Sequence, residues 1–289
     1  MINKFKMIFI VGVGRSGTTL VQGMLNAHSK IAFTPETHFI KSYLSKNLNF
    51  NKDKNKIIKD KYLKNLNLDL KTIQKKAVNY LNFYELMMNA YRLKKSKLFI
   101  GDKDPNNIEN LKIIKKYFPN SIIVNIYRDP RAVIASRIKA KWSRNKFFWQ
   151  HILAYKAQFN YMLKNKHIFG KNYVEIKYEK LLLNPKIELE KILTKLNLKF
   201  EKKMLKFSKN ANEIINIHEI SWKKNLLKPI LCENIYKWKN EIDPNNISKI
   251  EKALYVEMET CGYKFNSKSN LLSLFYNFLS KLYCIKNCN

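Results

Sequence analysis

The stretch Met7-Ile-Phe-Ile-Val-Gly-Val-Gly-Arg-Ser-Gly-Thr-Thr-Leu20 decides the fold. Its first residues, Met7 to Val11, are apolar without alternation, the pattern of a short strand buried on both faces of a parallel sheet. Gly12 and Gly14 end that run, and a helix is expected from about Gly17 to Ala27. A turn between a strand and a helix is where backbone N–H groups and the helix dipole converge, so the segment is suited to hold an anion.

Similar runs recur along the chain at Lys97-Leu-Phe-Ile100, Ser121-Ile-Ile-Val-Asn-Ile-Tyr127 and Tyr173-Val-Glu-Ile-Lys-Tyr178, each followed by a helical stretch. Strands alternating with helices predict an α/β fold, a central parallel β-sheet flanked by helices. Asn184-Pro185 reads as an N-cap followed by proline in the first turn, with Leu189, Ile192, Leu193 and Leu196 at helical spacing behind it. Residues 41–96 are Lys-rich and hold no comparable strand run, so they are expected to be a helical insertion on the acceptor side of a single domain covering 1–265. Residues 266–289 form a tail. In it Leu271, Leu272, Phe275, Phe278, Leu279 and Leu282 share one side of a helix over 271–285, opposite Ser273, Asn277 and Ser280. That segment is too short to span a bilayer. A core helix docked by its apolar side is expected, and the alternative is an interfacial helix whose Lys268, Lys281 and Lys286 face lipid phosphates.

At 289 residues the chain is long enough for one large α/β domain with a real core. It carries 55 Lys plus Arg against 22 Asp plus Glu, and a net charge of +33 favours anionic partners such as nucleotides, acidic peptides or membrane surfaces. Lys, Asn and Ile are abundant everywhere, loops included, so a general compositional bias that spreads charge without a dedicated patch is the preferred account of it. A noncatalytic nucleic-acid-binding module would draw on the same charge, but no nucleic acid is expected as a partner. Cys232, Cys261, Cys284 and Cys288 form no CxxC pair and have no metal-ligand spacing, so free thiols are expected. The run after Lys4 and Lys6 leads straight into the glycine loop without a cleavage site, so a cytoplasmic setting is expected.

Against the triphosphatase pattern GxxxxGK[ST], the loop keeps Gly12 and Gly17 at the right spacing but has Thr18 in place of the lysine. That lysine serves the β and γ phosphates of a triphosphate. A donor with one 5′-phosphate joined to sulfate needs less neutralisation, which Arg15 can supply. A P-loop kinase-like phosphotransferase, requiring Mg²⁺ and a triphosphate, is the rival from another enzyme class. The histidines form neither HExxH nor a triad spacing, and no metal is expected.

The sequence resembles the sulfotransferases that use 3′-phosphoadenosine 5′-phosphosulfate (PAPS). Val13-Gly-Arg-Ser-Gly-Thr-Thr-Leu20 looks like their 5′-phosphosulfate loop, and the stretch through Met24-Leu-Asn-Ala-His28 and Pro35-Glu-Thr37 is most similar to protein-tyrosine sulfotransferases. Asp102-Lys-Asp-Pro105, Phe118-Pro-Asn-Ser121, Tyr127-Arg-Asp-Pro-Arg-Ala132 with Ser136, Tyr178-Glu-Lys-Leu181, Leu227-Lys-Pro229 and Lys237-Trp238 follow in family order. Residues 41–96 and the tail after 266 match nothing in it. The resemblance implies a P-loop-like sulfotransferase fold, PAPS as cofactor with adenosine 3′,5′-bisphosphate (PAP) as product, and a hydroxyl acceptor.

It also implies roles. Glu36 is the general base, while Lys103 and Arg15 stabilise the leaving phosphate oxygen. Gly14, Arg15, Ser16, Gly17, Thr18 and Thr19 bind the 5′-phosphosulfate, and Arg128 with Ser136 grips the ribose 3′-phosphate. Tyr178 and Lys228 match further nucleotide contacts. Read without the resemblance, Glu36 is a carboxylate in a first helical turn, Lys103 a surface lysine and Arg128 half of a local pair with Asp129. The chain departs from the tyrosyl-protein enzymes at His38 and Ala140, where they carry arginines, so the acceptor is open. A tyrosine in an acidic peptide is the first expectation, and a sugar, lipid or small-molecule hydroxyl is the alternative. Trp142 and Trp238 could stack on adenine or acceptor, or be structural. Oligomeric state is undetermined, with a dimer among the options.

Overall fold

A computed structural model of the chain describes residues 6–46, 48–143, 145–213 and 232–287. Strands β1 (Met7–Val11), β2 (Ile31–Phe33), β3 (Phe99–Lys103), β4 (Ile122–Tyr127) and β5 (Tyr173–Lys177) form one parallel sheet in the order β2-β3-β1-β4-β5. β1 lies between β3 and β4 with all its residues buried. The chain leaves β1 for the β2–β3 side and later crosses to β4, so the order reverses at β1. Open α/β sheets bind ligands in the crevice beyond the carboxyl ends of their strands at such a point.

Helices α1 (Thr18–Asn26), α2 (Phe50–Ile57), α3 (Lys61–Lys64), α4 (Leu70–Lys76), α5 (Tyr80–Lys94), α6 (Leu111–Tyr117), α7 (Pro130–Ile138), α8 (Phe148–Asn165), α9 (Tyr178–Leu183) and α10 (Pro185–Leu193) connect or cover the strands. Helices α11 (Pro244–Ala253), α12 (Tyr255–Thr260) and α13 (Asn270–Asn287) follow. Because successive strand residues point to opposite faces, β1 serves two cores. Phe9 and Val11 pack with Phe39, Phe83, Tyr84 and Phe118 on one side. Ile8 and Ile10 pack with Val21, Leu25, Leu181 and Ile192 on the other. Residues 41–96 supply α2 to α5, and Phe83, Tyr84, Met87 and Met88 of α5 are buried in the first of these cores.

Several details differ from expectation. β2 is too short to show as a strand run, and it exists because Gly101 lets it approach. A Cβ on Gly101 would stand 2.1 Å from the Phe33 ring. β3 runs on to Lys103, and Tyr178 opens α9 rather than ending β5. Asn184 precedes α10 but makes no side-chain cap.

The largest correction is at α13, which packs on α8 but turns only Leu272 and Leu279 of the expected apolar side towards the core. Ser273 and Ser280 are buried, whereas Leu271, Leu274, Phe275, Phe278 and Leu282 are exposed. The physical reason lies in a buried charge. Lys156 of α8 is fully buried, pairs with Glu257 Oε1 of α12 at 2.8 Å, and donates to Ser273 Oγ at 3.1 Å. A buried ammonium has to fill its donor sites, so a hydroxyl is worth more there than a leucine. Asn160 donates to Asn277 at 3.3 Å along the same seam.

Candidate active site

The glycine loop is shaped by close approach. A Cβ on Gly12 would lie 2.4 Å from the Ile126 carbonyl oxygen, so only glycine lets the loop leave β1 beside β4. Gly17, at φ 98°, caps α1, and a Cβ there would stand 2.4 Å from the Tyr178 ring. Arg15 also takes a left-handed backbone, φ 82°. Ser16 N donates to the Val13 carbonyl at 3.1 Å and closes the turn. The Ser16 hydroxyl is buried with no hydrogen-bond partner among the described residues. It stands beside the unpaired first-turn amides that every helix start carries. An orphaned buried donor beside a helix N-terminus fits a phosphate or sulfate oxygen. Gly14, Arg15, Ser16, Gly17, Thr18 and Thr19 are therefore brought together as one cradle.

The second set of predicted residues meets this loop from β4, α7 and α9. Arg15 Nε donates to Ser136 Oγ at 2.9 Å. Arg128 follows β4, reaches the Arg15 carbonyl at 3.4 Å through Nη1, and lays its guanidinium 4.3 Å above the Tyr178 ring. Burial lowers the Arg15 pKa, and the Arg128 charge lowers it further, while Glu36 raises it. Two guanidiniums this near each other repel, and an anion between them relieves that repulsion. Burial raises the Tyr178 hydroxyl pKa and Arg128 pulls it back. Asp129 does not pair with Arg128. It caps α7 through Arg131 N at 2.9 Å and takes the Arg131 guanidinium at 2.7 Å, while Glu251 holds the other side at 2.6 Å.

The third set converges from β3 and the segment after β2. Glu36 lies in an irregular stretch between β2 and the turn at Ile40, not in a first helical turn. Lys103 is fully buried at the end of β3, where its ammonium donates to Glu36 Oε1 and reaches Thr19 Oγ1 at 3.4 Å. His38, at φ 51°, places Nδ1 2.8 Å from Asp104 Oδ2 and Nε2 3.8 Å from Glu36 Oε2. Its ring meets Tyr62 of α3 edge-on at 4.5 Å. Behind them Asp102 Oδ2 accepts from Tyr84 at 2.8 Å and from Thr37 at 3.4 Å. Burial pushes the Asp102 carboxyl up to about 7. Glu36, His38 and Asp104 bring ligand-type atoms within 4.8 Å of one another, and the Lys103 ammonium already stands against that group as a cation.

Two groups escaped the sequence reading. Arg137 is buried on α7 next to Ser136, with Nη1 4.0 Å from where a Gly14 Cβ would be. It adds a cation to the loop that a lone Arg inside a helix gives no sign of. The Thr37–Asp102–Tyr84 set beneath Lys103 joins positions far apart in the chain, which spacing cannot reveal. Lys228 and the Leu227–Pro229 match lie outside the described residues. Trp238 is buried beneath the Arg131 guanidinium at 4.1 Å, a structural place, whereas Trp142 is half exposed near Arg137 and Lys146. No helix among the described residues is long and apolar enough to cross a membrane.

The model of the sulfotransferase family matches residues 7–202. Protein-tyrosine sulfotransferase A of Caenorhabditis elegans is 25% identical over 275 residues, covering 90% of this chain and 68% of that protein. The protein-tyrosine sulfotransferase of Drosophila melanogaster is 24% identical over 265 residues, covering 89% of this chain and 51% of its own length. Among solved structures, the sulfotransferase domain from the curacin biosynthetic pathway superposes with a TM-score of 0.67 at 19% identity, covering 91% of this chain and 99% of that one. The sulfotransferase domain of the Synechococcus PCC 7002 olefin synthase gives a TM-score of 0.65 at 17% identity, with coverages of 92% and 98%. The likeness to these structures shows the fold, and the family match takes in the whole sheet together with the loop. The chain belongs to the sulfotransferase family, the PAPS-dependent enzymes that transfer a sulfuryl group to a hydroxyl acceptor.

Proposed function

We propose that Glu36 is the general base, that Lys103 and Arg15 stabilise the leaving phosphate oxygen, and that Arg128 with Ser136 selects the 3′-phosphorylated nucleotide. The observation that carries this reading is the convergence of Glu36, Lys103 and Thr19 at the mouth of the glycine loop. The bound donor supplies an activated sulfuryl group, whose bond to the phosphate oxygen breaks as one to the acceptor oxygen forms. Glu36 Oε receives the acceptor hydroxyl proton, because a neutral hydroxyl is a poor nucleophile. Lys103 Nζ, buried and held from Thr19, faces the charge that grows on the leaving oxygen. In a water-poor site a fixed cation does this far better than in solvent. The Ser16 hydroxyl, Thr18, Thr19 and the start of α1 hold the 5′ anion. Arg128 is kept in place by the Tyr178 ring beneath it.

For the acceptor, the surface beside Arg137 favours a hydroxyl on an apolar body, a lipid or small molecule. Trp142 is exposed there, 5.5 Å from the Arg137 guanidinium, with Lys146 above its ring at 5.8 Å, and the exposed Phe147 and Trp149 follow within a few residues of it in the chain. Aromatic side chains left in water beside a charged site favour an apolar partner. A tyrosine in an acidic peptide is the second reading, favoured by relatives whose names say protein-tyrosine sulfotransferase. The test is transfer of ³⁵S from labelled PAPS, with acidic tyrosyl peptides and apolar alcohols in separate reactions. Label in the alcohols alone supports the first reading, and label in the peptides alone supports the second. Calorimetry should find PAP bound more tightly than AMP. Equal affinities would overturn the assignment of Arg128 and Ser136.

A further inference from the structure

The exposed side of α13 is a continuous apolar stripe. Leu271, Leu274, Phe275, Phe278 and Leu282 are between 50% and 83% exposed. Their spacings of three and four place them along one line of the helix, and each spacing repeats the turn below it. A helix packed against a protein normally hides such a line. Here the hidden line is Ser273, Tyr276 and Ser280, with Leu272 and Leu279 partly buried beside it, and turning the exposed line inward would take Ser273 Oγ away from the buried Lys156 ammonium.

Charge identifies what fits this stripe. Beyond Glu259 the chain contains no Asp or Glu and carries Lys264, Lys268, Lys281 and Lys286. Lys268 is exposed just before α13, and Lys281 is exposed on the helix beside the stripe. An apolar line flanked by lysines suits an interface of hydrocarbon beneath anionic headgroups, since the lysine stems lie on the apolar zone and their ammonium groups rise to the phosphates. The same features argue against a second copy of the chain. Self-pairing would bring together two surfaces of one sign on chains of net charge +33. A row one side chain wide also falls short of the roughly 800 Å² per partner that a stable interface covers.

We infer that α13 lies flat on an anionic lipid surface, with Leu271, Leu274, Phe275, Phe278 and Leu282 in the acyl boundary and Lys268 and Lys281 at the headgroups. The helix rests on the bilayer and does not cross it. This placement does not depend on the identity of the acceptor, because none of these residues belongs to the nucleotide site.

The experiment is flotation of the full chain with vesicles of phosphatidylcholine alone and of phosphatidylcholine mixed with phosphatidylserine, in parallel with the variants Leu274→Glu and Phe278→Glu. The wild type should float with the mixed vesicles, less well at high salt, and not with the neutral ones. Each Glu variant should bind about tenfold or more weakly, with unchanged thermal midpoint and PAP affinity. The inference is overturned if the wild type floats with neither vesicle. It is equally overturned if the Glu variants float as well as wild type, which would assign binding to the basic surface at large. A fall of several degrees in their thermal midpoint would mean that the chain itself covers the stripe. A concentration-dependent dimer in sedimentation that either variant splits would give the stripe to a second copy.

Discussion

Lys103 and Glu36, 67 positions apart, meet in a buried ion pair at the end of β3, and the same ammonium touches Thr19 on the helix that follows the glycine loop. Carboxylate, ammonium and glycine loop are thereby tied into one unit. The first test separates their roles. Glu36→Gln keeps the shape and should lower kcat by roughly 10²- to 10⁴-fold with PAP affinity unchanged, as read by labelled-donor turnover and calorimetry. Normal turnover would remove Glu36 from the mechanism.

Lys103→Met should be worse for the fold than for nucleotide binding. It leaves Glu36 without its buried counter-charge, and breaking such a pair from one side costs about 3–5 kcal/mol. Urea denaturation should register that loss. Turnover should fall by about 10²- to 10³-fold, the scale of losing one electrostatic stabiliser.

Arg128→Ala should erase much of the discrimination between PAP and AMP. A charge-assisted hydrogen bond to phosphate contributes about 1.5–3 kcal/mol, so PAP affinity should fall by roughly tenfold or more while AMP affinity barely moves. Equal losses for both ligands would place Arg128 on the 5′ anion instead.

His38 occupies a left-handed backbone between Asp104 and Glu36. Asparagine tolerates that conformation, so His38→Asn removes the imidazole without adding strain. The expected result is a fall in kcat of about tenfold with the donor KM unchanged, since the ring stands between Asp104 and the Glu36 carboxylate. An unchanged kcat would make His38 only a packing residue against Tyr62.

The buried Asp102 makes stability depend on pH in the direction opposite to an ordinary paired carboxylate. Its folded pKa is raised to about 7, chiefly by burial, from the ordinary carboxyl value of 3.8. The native state therefore binds the proton more tightly. Its stabilising contribution is fully present below about pH 4 and is lost as pH rises through about 7. Asp102→Asn keeps an acceptor for Tyr84 and removes the titration. The thermal midpoint of the variant relative to wild type should rise between pH 4 and pH 8, and a flat difference would refute the assignment.

Much of the fold was readable along the chain because its signals are local. The apolar run Met7–Val11 and its recurrences needed no partner to be recognised as strands of a parallel sheet. The glycines of the loop are likewise legible as the end of the strand run, while the close approach to Ile126 and Tyr178 that demands the missing Cβ is visible only in the fold. β2 was not legible. Three residues carry no period, and their strand character depends on Gly101 in another strand.

The candidate site divides in the same way. Residue types and their order pointed to Arg15, Glu36, Lys103, Arg128 and Ser136, but only the tertiary structure brought Lys103 onto Glu36, turned Asp129 away to Arg131 and added Arg137 to the loop. Helix α13 makes the distinction sharpest. Its sequence by itself determined that it would be amphipathic, because that follows from spacing alone. Which face turns inward was decided by the Lys156–Glu257 pair, more than a hundred residues from Lys156 to the helix it anchors, since a buried charge draws a hydroxyl more strongly than the core draws another leucine.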